Sequence, residues 1–331
     1  QLAVIYLEAY QAINKNKFLY IAAEILDYLL RDMVAPEGGF YSASDAENTS
    51  GEGNYYLWNV EELRARLSTG EMRLIEAHYG LETHVNWQGR KILYVKTPLN
   101  KIAEDMDMPL QQMREKLLGI KRLLFRLRKQ RPAPLLDRKI LTSWNGLAIS
   151  AFAKGYQVLA VPAYLHAAEG AAGFILRELN DQGRLRRSAI ESRRADQAYL
   201  DDYAFFIAGL LDLYETTFDH RWLEQAIGLQ DVQDRLFLDE DNGGYFLTAD
   251  DAERLLVRIK SAYDGALPSG NSVAVQNLLR IGEWTGQNSH KSRALKTLTA
   301  FGSELRRSPM NMPRMLSALE FYLDSPKQIA I

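Results

Sequence analysis

The sequence predicts an all-α fold in which helical hairpins pack in two layers and close into a ring. Three observations carry that expectation. Helical periodicity dominates the chain, a unit built on a glycine turn recurs along it, and the helices that follow these turns are apolar on most of their circumference. A helix with no polar face is surrounded by other helices, which a ring provides for its inner layer and an extended solenoid does not.

The periodicity is explicit. Ala22, Ile25, Leu26, Leu29 and Met33 form one stripe, and Leu147, Ala151, Phe152, Tyr156 and Leu159 a second. Tyr203, Ala204, Ile207, Leu210, Leu211 and Tyr214 form the cleanest. The same spacing predicts helices over 60–79, 109–129, 162–179, 220–237, 271–286, 289–306 and 312–323. Strands are expected to be few and short, at 54–58, 91–95, 244–248 and 255–259. Leu2, Tyr6, Ala9 and Ile13 are already helically spaced. A helix that starts at Gln1 without a capping residue reads as the continuation of a longer protein.

The repeat is seen by laying "EGGFYSASDAE" (37–47) beside "NGGYFLTADDAE" (242–253). Both share a Gly-Gly-aromatic-aromatic opening, follow a long helix, and lead through a short hairpin to another helix. "DQGRLRRS" (181–188) holds the same place with one glycine fewer. The helices that follow begin near Asn145, Asp202 and Asn271. A spacing of roughly 60 residues holds two helices per repeat. No Pro-, Gly- and Ser-rich linker divides the chain. The prolines of "KQRPAPLLDRK" (129–139) read as a helix stop and a turn, so a single domain over 1–331 is expected.

Composition excludes several classes of function. The 331 residues carry a net charge of −2, and the pI is about 6.3. No basic surface offers itself to nucleic acid, and no apolar run approaches the roughly 20 residues of a membrane helix. The chain has no cysteine, so it has no disulfide, thiolate metal site or redox thiol, in keeping with a cytoplasmic setting. There is no phosphate-binding or dinucleotide glycine motif, and no His pair at zinc spacing. "DEDNGG" (239–244) has Gly243 where a calcium loop needs a ligand and reads as a turn. The expectation is no cofactor, no metal, no nucleic acid and no membrane.

The motifs "GGFYSASDAE", "GNYYLW", "DRKILTSWNGLAISAFAKGY", "YLDDYAFFIAGLLDLYE" and "YDGALPSGNSVAVQNLLRI" together resemble a specific family over nearly the whole chain. It is the thioredoxin-domain-containing family that includes the mammalian spermatogenesis-associated protein and its bacterial relatives. The resemblance implies an (α/α)6-type toroid of helical hairpins with small β-hairpins, similar to six-hairpin glycosidases and to N-acylglucosamine 2-epimerase. It also implies that this chain is incomplete at the N-terminus. A thioredoxin-like module and the first part of the toroid would precede it in the full-length protein.

The candidate chemistry lies in the decorated turns. Sugar hydrolysis needs two carboxyl groups facing one bond, and Asp45, Asp202 and Asp264 stand at comparable places in different repeats. Asp201 and Asp202 point about 100° apart on a helix. The expectation is that Asp201 caps the helix while Asp202 faces a cavity. Trp144 offers a flat apolar face to a sugar ring and Asn145 both a donor and an acceptor. Tyr203, Ser269, Asn271 and Trp58 complete the candidate substrate-binding set. Asp202, Asp264, Trp144, Asn145 and Ser269 are expected to line one pocket at one mouth of the ring.

Three functions fit this reading. The first is a glycoside-hydrolase-like enzyme acting on a small-molecule or glycan ligand. The second is a sugar epimerase or isomerase, which usually wants a histidine base. None of His78, His84, His166, His220 and His290 lies in the decorated turns. The third is a non-catalytic toroid that binds a ligand or partner and serves the thioredoxin-like module.

Overall fold

A computed structural model describes residues 1–81, 86–87, 89–190, 193–194, 197–253 and 256–324. The expected strand at 255–259 falls partly outside the described residues, as does His84. Fourteen α-helices are described. In chain order they are α1 (Leu2–Ile13), α2 (Asn16–Asp32), α3 (Val60–Arg64), α4 (Thr69–Tyr79), α5 (Leu99–Asp105), α6 (Leu110–Lys129) and α7 (Thr142–Leu159). They continue as α8 (Pro162–Glu178), α9 (Leu200–Thr217), α10 (His220–Phe237), α11 (Gly270–Thr285), α12 (Asn288–Ala300), α13 (Gly302–Arg307) and α14 (Pro313–Leu323). The expected helix 60–79 is two, because Ser68 and Glu71 form a capping box that starts a new helix. The expected helix 289–306 breaks at Phe301.

The chain packs as two compact units. The first comprises Gln1–Ser42 and Arg138–Ile331, and the second Ala43–Asp137. The second unit holds α3 to α6 around Leu63, Leu74, Ile75, Ile102, Met113 and Ile120. Its two ends meet where Ala43 and Ser44 pair antiparallel with Asp137 and Leu136. Arg131 braces it from inside, donating to the carbonyl of Leu57 (2.6 Å) and pairing with Glu62 (2.9 Å). These are the residues over which the sequence predicts one uninterrupted domain.

The first unit is an array of helical hairpins: α1 with α2, α7 with α8, α9 with α10, and α11 with α12. Helices α1, α7, α9, α11 and α14 lie side by side in that order as the inner layer, and α2, α8, α10 and α12 stand outside. The fold class is thus the expected α/α toroid architecture. All four hairpins turn the same way. Each inner helix ends at a left-handed residue, and the outer helix starts two positions later. Those residues are Asn14 (φ 49°), Ala160 (φ 54°), Phe218 (φ 55°) and Gly286 (φ 68°). Each donates its N–H to the carbonyl four residues back, a C-terminal cap that glycine fills at least cost. The centre of the array is α9, buried at every position from Asp202 to Leu211. It meets α7 at Gly146 and Gly209, where a side chain at Gly146 would fall on the carbonyl of Phe205.

Candidate functional site

The decorated turns prove to be joints between neighbouring inner helices. Asp202 is 1% exposed. One of its carboxylate oxygens accepts from the N–H of Ser143 at the start of α7 (3.0 Å), and the other from the N–H of Tyr199 (2.9 Å). Asp201 points the other way and accepts from the N–H of Gly270, the first residue of α11. Asp264 accepts from Ser269 (2.8 Å), and from Arg314 (2.8 Å) in the first turn of α14. A helix start has unpaired N–H groups and a positive dipole end, so a carboxylate there is well placed. The adjacent acids of α9 therefore cap the helices on either side of it, Asp202 that of α7 and Asp201 that of α11.

Burial sets the protonation of this pair. It pushes Asp201 up to about 6, with the charge of Asp202 adding to the effect and the bond from Gly270 and the charge of Arg187 opposing it. Burial also raises Asp202 above the usual carboxylate range, against the bonds from Tyr199 and Ser143.

The asparagines have a matching role. The Asn145 amide accepts from the N–H of Phe40 (2.6 Å) and donates to the carbonyls of Phe40 (3.0 Å) and Leu141 (2.9 Å). Asn271 does the same for Tyr245 (2.7 and 2.9 Å) and Ser261 (3.0 Å). Phe40 and Tyr245 are the aromatic residues after the two Gly-Gly turns, so the repeat encodes one clamp used twice. In the third unit the Tyr203 hydroxyl takes that part. It accepts from the N–H of Leu185 (2.9 Å) and donates to the carbonyl of Gly183 (3.1 Å).

These contacts correct the expected site. Asn145, Asn271 and Tyr203 are buried clamps whose polar atoms are taken by backbone. Ser269 is the N-cap of α11, its hydroxyl accepting from the N–H of Ser272 (3.0 Å). Asp202 caps instead of facing a cavity. Trp58 is 3% exposed and covered by the Arg131 guanidinium 4.1 Å from its ring centre. Asp45 is an exposed turn residue whose carboxylate accepts from Glu47 (3.2 Å); it belongs with Trp58 to the second unit. Trp144 is 41% exposed at the start of α7. Of the five residues expected to share a pocket, Asp264 reaches the cavity described next, while Asp202, Trp144, Asn145 and Ser269 do not line it.

That cavity, of about 1040 Å³, lies among the five inner helices. Each helix contributes a stripe at helical spacing: Val4, Ile5 and Glu8 from α1; Leu147, Ser150, Lys154 and Gln157 from α7; Phe205, Ala208, Asp212 and Glu215 from α9. Helix α11 supplies Val273, Gln276, Arg280, Glu283 and Trp284, and α14 supplies Pro313, Arg314, Ser317 and Phe321. Aromatic faces thus alternate with hydrogen-bonding groups, the mixture that small-molecule sites use. Arg280 binds Asp212 (2.6 Å) and Glu215 (3.0 Å), and lies 5.3 Å from the Trp284 ring centre. Trp284 in turn meets Tyr214 edge to face. The described histidines His78, His166, His220 and His290 do not line the wall. Among the described residues no group of three or more acidic or imidazole side chains is placed to hold a metal ion, and no helix is long and apolar enough to cross a membrane.

Apart from Asp264, the residues that line this cavity were absent from the predicted site, although some left a signal. Lys154 is the only charge in α7, and Asp212 and Arg280 sit in the apolar middles of α9 and α11; a charge in such a place needs a partner or a cavity.

The fold and its central cavity define a class. The first unit is an α/α toroid, and the structure resembles a sugar epimerase from a ruminal bacterium with a TM-score of 0.55 at 11% identity, covering 91% of this chain and 58% of that one. By sequence the chain is similar to spermatogenesis-associated protein 20 of Homo sapiens. The two are 36% identical over 367 residues, which span 100% of this chain and 47% of the human protein. An uncharacterized protein of Caenorhabditis elegans is 31% identical over 314 residues, 86% of this chain and 43% of its own. The chain thus spans about half the length of the curated relatives it matches. No family model matches it.

Proposed function

We propose that this chain is a carbohydrate-active protein whose sugar or glycan ligand occupies the cavity among the inner helices. The observation that carries the reading is the wall itself. Trp284, Phe205 and Phe321 offer apolar faces, and Ser150, Gln157, Gln276 and Ser317 offer hydroxyls and amides, all from four converging helices. A sugar ring presents both kinds of surface, apolar C–H faces and a hydroxyl rim, and this wall can satisfy both. A cavity of about 1040 Å³ accommodates more than one sugar ring. The epimerase-like fold is in keeping with this reading.

Glycoside-hydrolase-like chemistry in this cavity would use wall carboxylates. Asp264 and Glu8 both act on the charge of Arg314, as does Asp212, so the three face a common region. Asp202 serves the helix joints, and we assign it no catalytic part. A histidine-based epimerisation draws no support from the described wall. The resemblance to longer relatives further suggests that the toroid works beside a thioredoxin-like module in a longer chain.

The test is calorimetric titration of the protein with monosaccharides and short glycans, followed by Trp284 fluorescence and by assay of reducing-end release. Sugar binding that quenches Trp284 and is lost in Trp284→Ala is the expected result. Binding unaffected by Trp284→Ala and by Gln276→Ala would place the ligand elsewhere and remove the cavity from consideration.

A further inference from the structure

The cavity wall carries charges of two kinds, and the distinction bears on what its ligand is. Asp212 and Glu215 are taken by Arg280, Glu283 pairs with Lys291 (2.5 Å), and Asp264 is held by the N–H groups at the start of α14. Among the described residues, Glu8, Lys154 and Arg314 are left with no ion pair or hydrogen bond from their side chains. The uncommitted groups are therefore two cations and one anion. Every other carboxylate on the wall has a partner inside the protein.

Arg314 is the more informative cation. Its backbone is fixed, because its N–H is one of the donors to Asp264, so its side chain leaves a defined point on the first turn of α14. Arg314 is an exposed residue on the cavity wall, and partial desolvation there holds its pKa below the ordinary arginine value. Asp212 opposes that shift, Arg280 adds to it, and Glu8 and Asp264 oppose it. The surrounding acids soften this desolvation without cancelling it, and among the described residues none reaches the guanidinium itself. A guanidinium has five N–H donors in a planar fork that matches a carboxylate or phosphate in two-point contact. Here that fork has no acceptor among the described residues and opens on a cavity.

From this geometry we infer that the ligand is an acidic sugar, its anionic group bound by the Arg314 guanidinium with Lys154 supplying a second positive charge across the cavity. This deepens the carbohydrate reading of the same cavity and rests on it. The shared chemistry is an anionic oxygen cluster on a sugar ring, which a uronic acid supplies as a carboxylate and a sugar phosphate as a phosphate.

The experiment is titration of the 331-residue chain with D-glucuronate, D-glucose 6-phosphate, D-glucose and inorganic phosphate, at low and at physiological ionic strength. At least one acidic sugar is expected to bind about tenfold or more tighter than glucose, with the preference shrinking as salt rises. The better acid identifies the source of the anion, and phosphate alone reports how much the sugar ring adds. Arg314→Met should bring the acidic sugar down to the affinity of glucose and leave glucose unchanged. Arg314→Lys should keep part of the preference, and Lys154→Met should lose part of it. Glucose bound as tightly as the acids, or a preference that survives Arg314→Met, overturns the inference and leaves the carbohydrate reading standing. Binding of none of the sugars rejects both.

Discussion

The two adjacent aspartates of α9 should respond in opposite ways to the same change, Asp to Asn. Asp202 has two N–H donors, one on each oxygen. An asparagine there keeps one acceptor and turns an NH2 group towards the other donor, leaving a buried N–H unsatisfied. That costs about 1–3 kcal/mol, so Asp202→Asn should lower stability by about 2 kcal/mol at neutral pH. Asp201 accepts from a single backbone donor among the described residues, Gly270, and an asparagine carbonyl still accepts from it. What Asp201→Asn removes is a buried charge. The folded-state pKa of about 6 exceeds the unfolded value of roughly 4. Between those values the native state holds the proton more tightly than the unfolded chain. Wild-type stability therefore falls as pH rises from about 4 to about 6. Two pKa units correspond to about 3 kcal/mol as an upper figure. Asp201→Asn escapes that loss, so it should match the wild type near pH 4 and exceed it by about 1–3 kcal/mol at pH 8. Urea unfolding followed by far-ultraviolet dichroism at pH 4, 6 and 8 measures all three proteins. A neutral Asp202→Asn would show that the α7 joint is not made, and an Asp201→Asn less stable than wild type at pH 8 would show that the charge is an asset to the fold.

The remaining predictions follow from the same contacts. Ala160→Gly and Phe218→Gly, at left-handed hairpin positions, should each stabilise by about 0.5–1 kcal/mol, read from urea midpoints; a loss at both would mean those turns are not left-handed. Gly146→Ala sets a methyl group against the Phe205 carbonyl and should cost more than the about 1–3 kcal/mol of ordinary overpacking, since backbone yields less readily than a side chain; unchanged thermal unfolding would contradict the close approach of α7 and α9. Asn145→Ala and Asn271→Ala each strip three hydrogen bonds from a buried turn and should cost about 2–4 kcal/mol. Ligand affinity measured well below the unfolding transition should be unaltered in both, whereas a direct sugar contact would weaken it.

The architecture was legible because it rests on features that a sequence displays directly: apolar stripes, a recurring glycine turn, and helices without a polar face. The hairpin turns were less so. Ala160 and Phe218 occupy a conformation that glycine favours, and the packing of two helices outweighs a backbone cost of about 1–2 kcal/mol. Nothing in the residue type announces that. Asp201 and Asp202 show a different limit. Their divergence on the helix follows from geometry alone, but which neighbour each one meets depends on ring order, and the expectation assigned the cavity to Asp202.

The expected site and the cavity wall differ in where they sit along the inner helices. Decorated residues at a helix start attract attention because Asp, Asn and Ser are chemically versatile, yet those same groups satisfy free N–H donors. In this fold each inner helix start lies against the next, so the demand for acceptors is multiplied, and Asp201, Asp202 and Asp264 meet it, while Asn145 and Asn271 hold the preceding turns. A helix middle makes no such demand, because its backbone is already paired. A lone polar or charged side chain there, such as Lys154 in α7 or Arg280 in α11, has no local use and must answer to something beyond its own helix. Arg280 answers to Asp212 and Glu215 on the neighbouring α9. Lys154 and, at the first turn of α14, the side chain of Arg314 have no such partner among the described residues. In a ring of capped helices, the residues that point to a ligand are those the capping logic leaves unexplained.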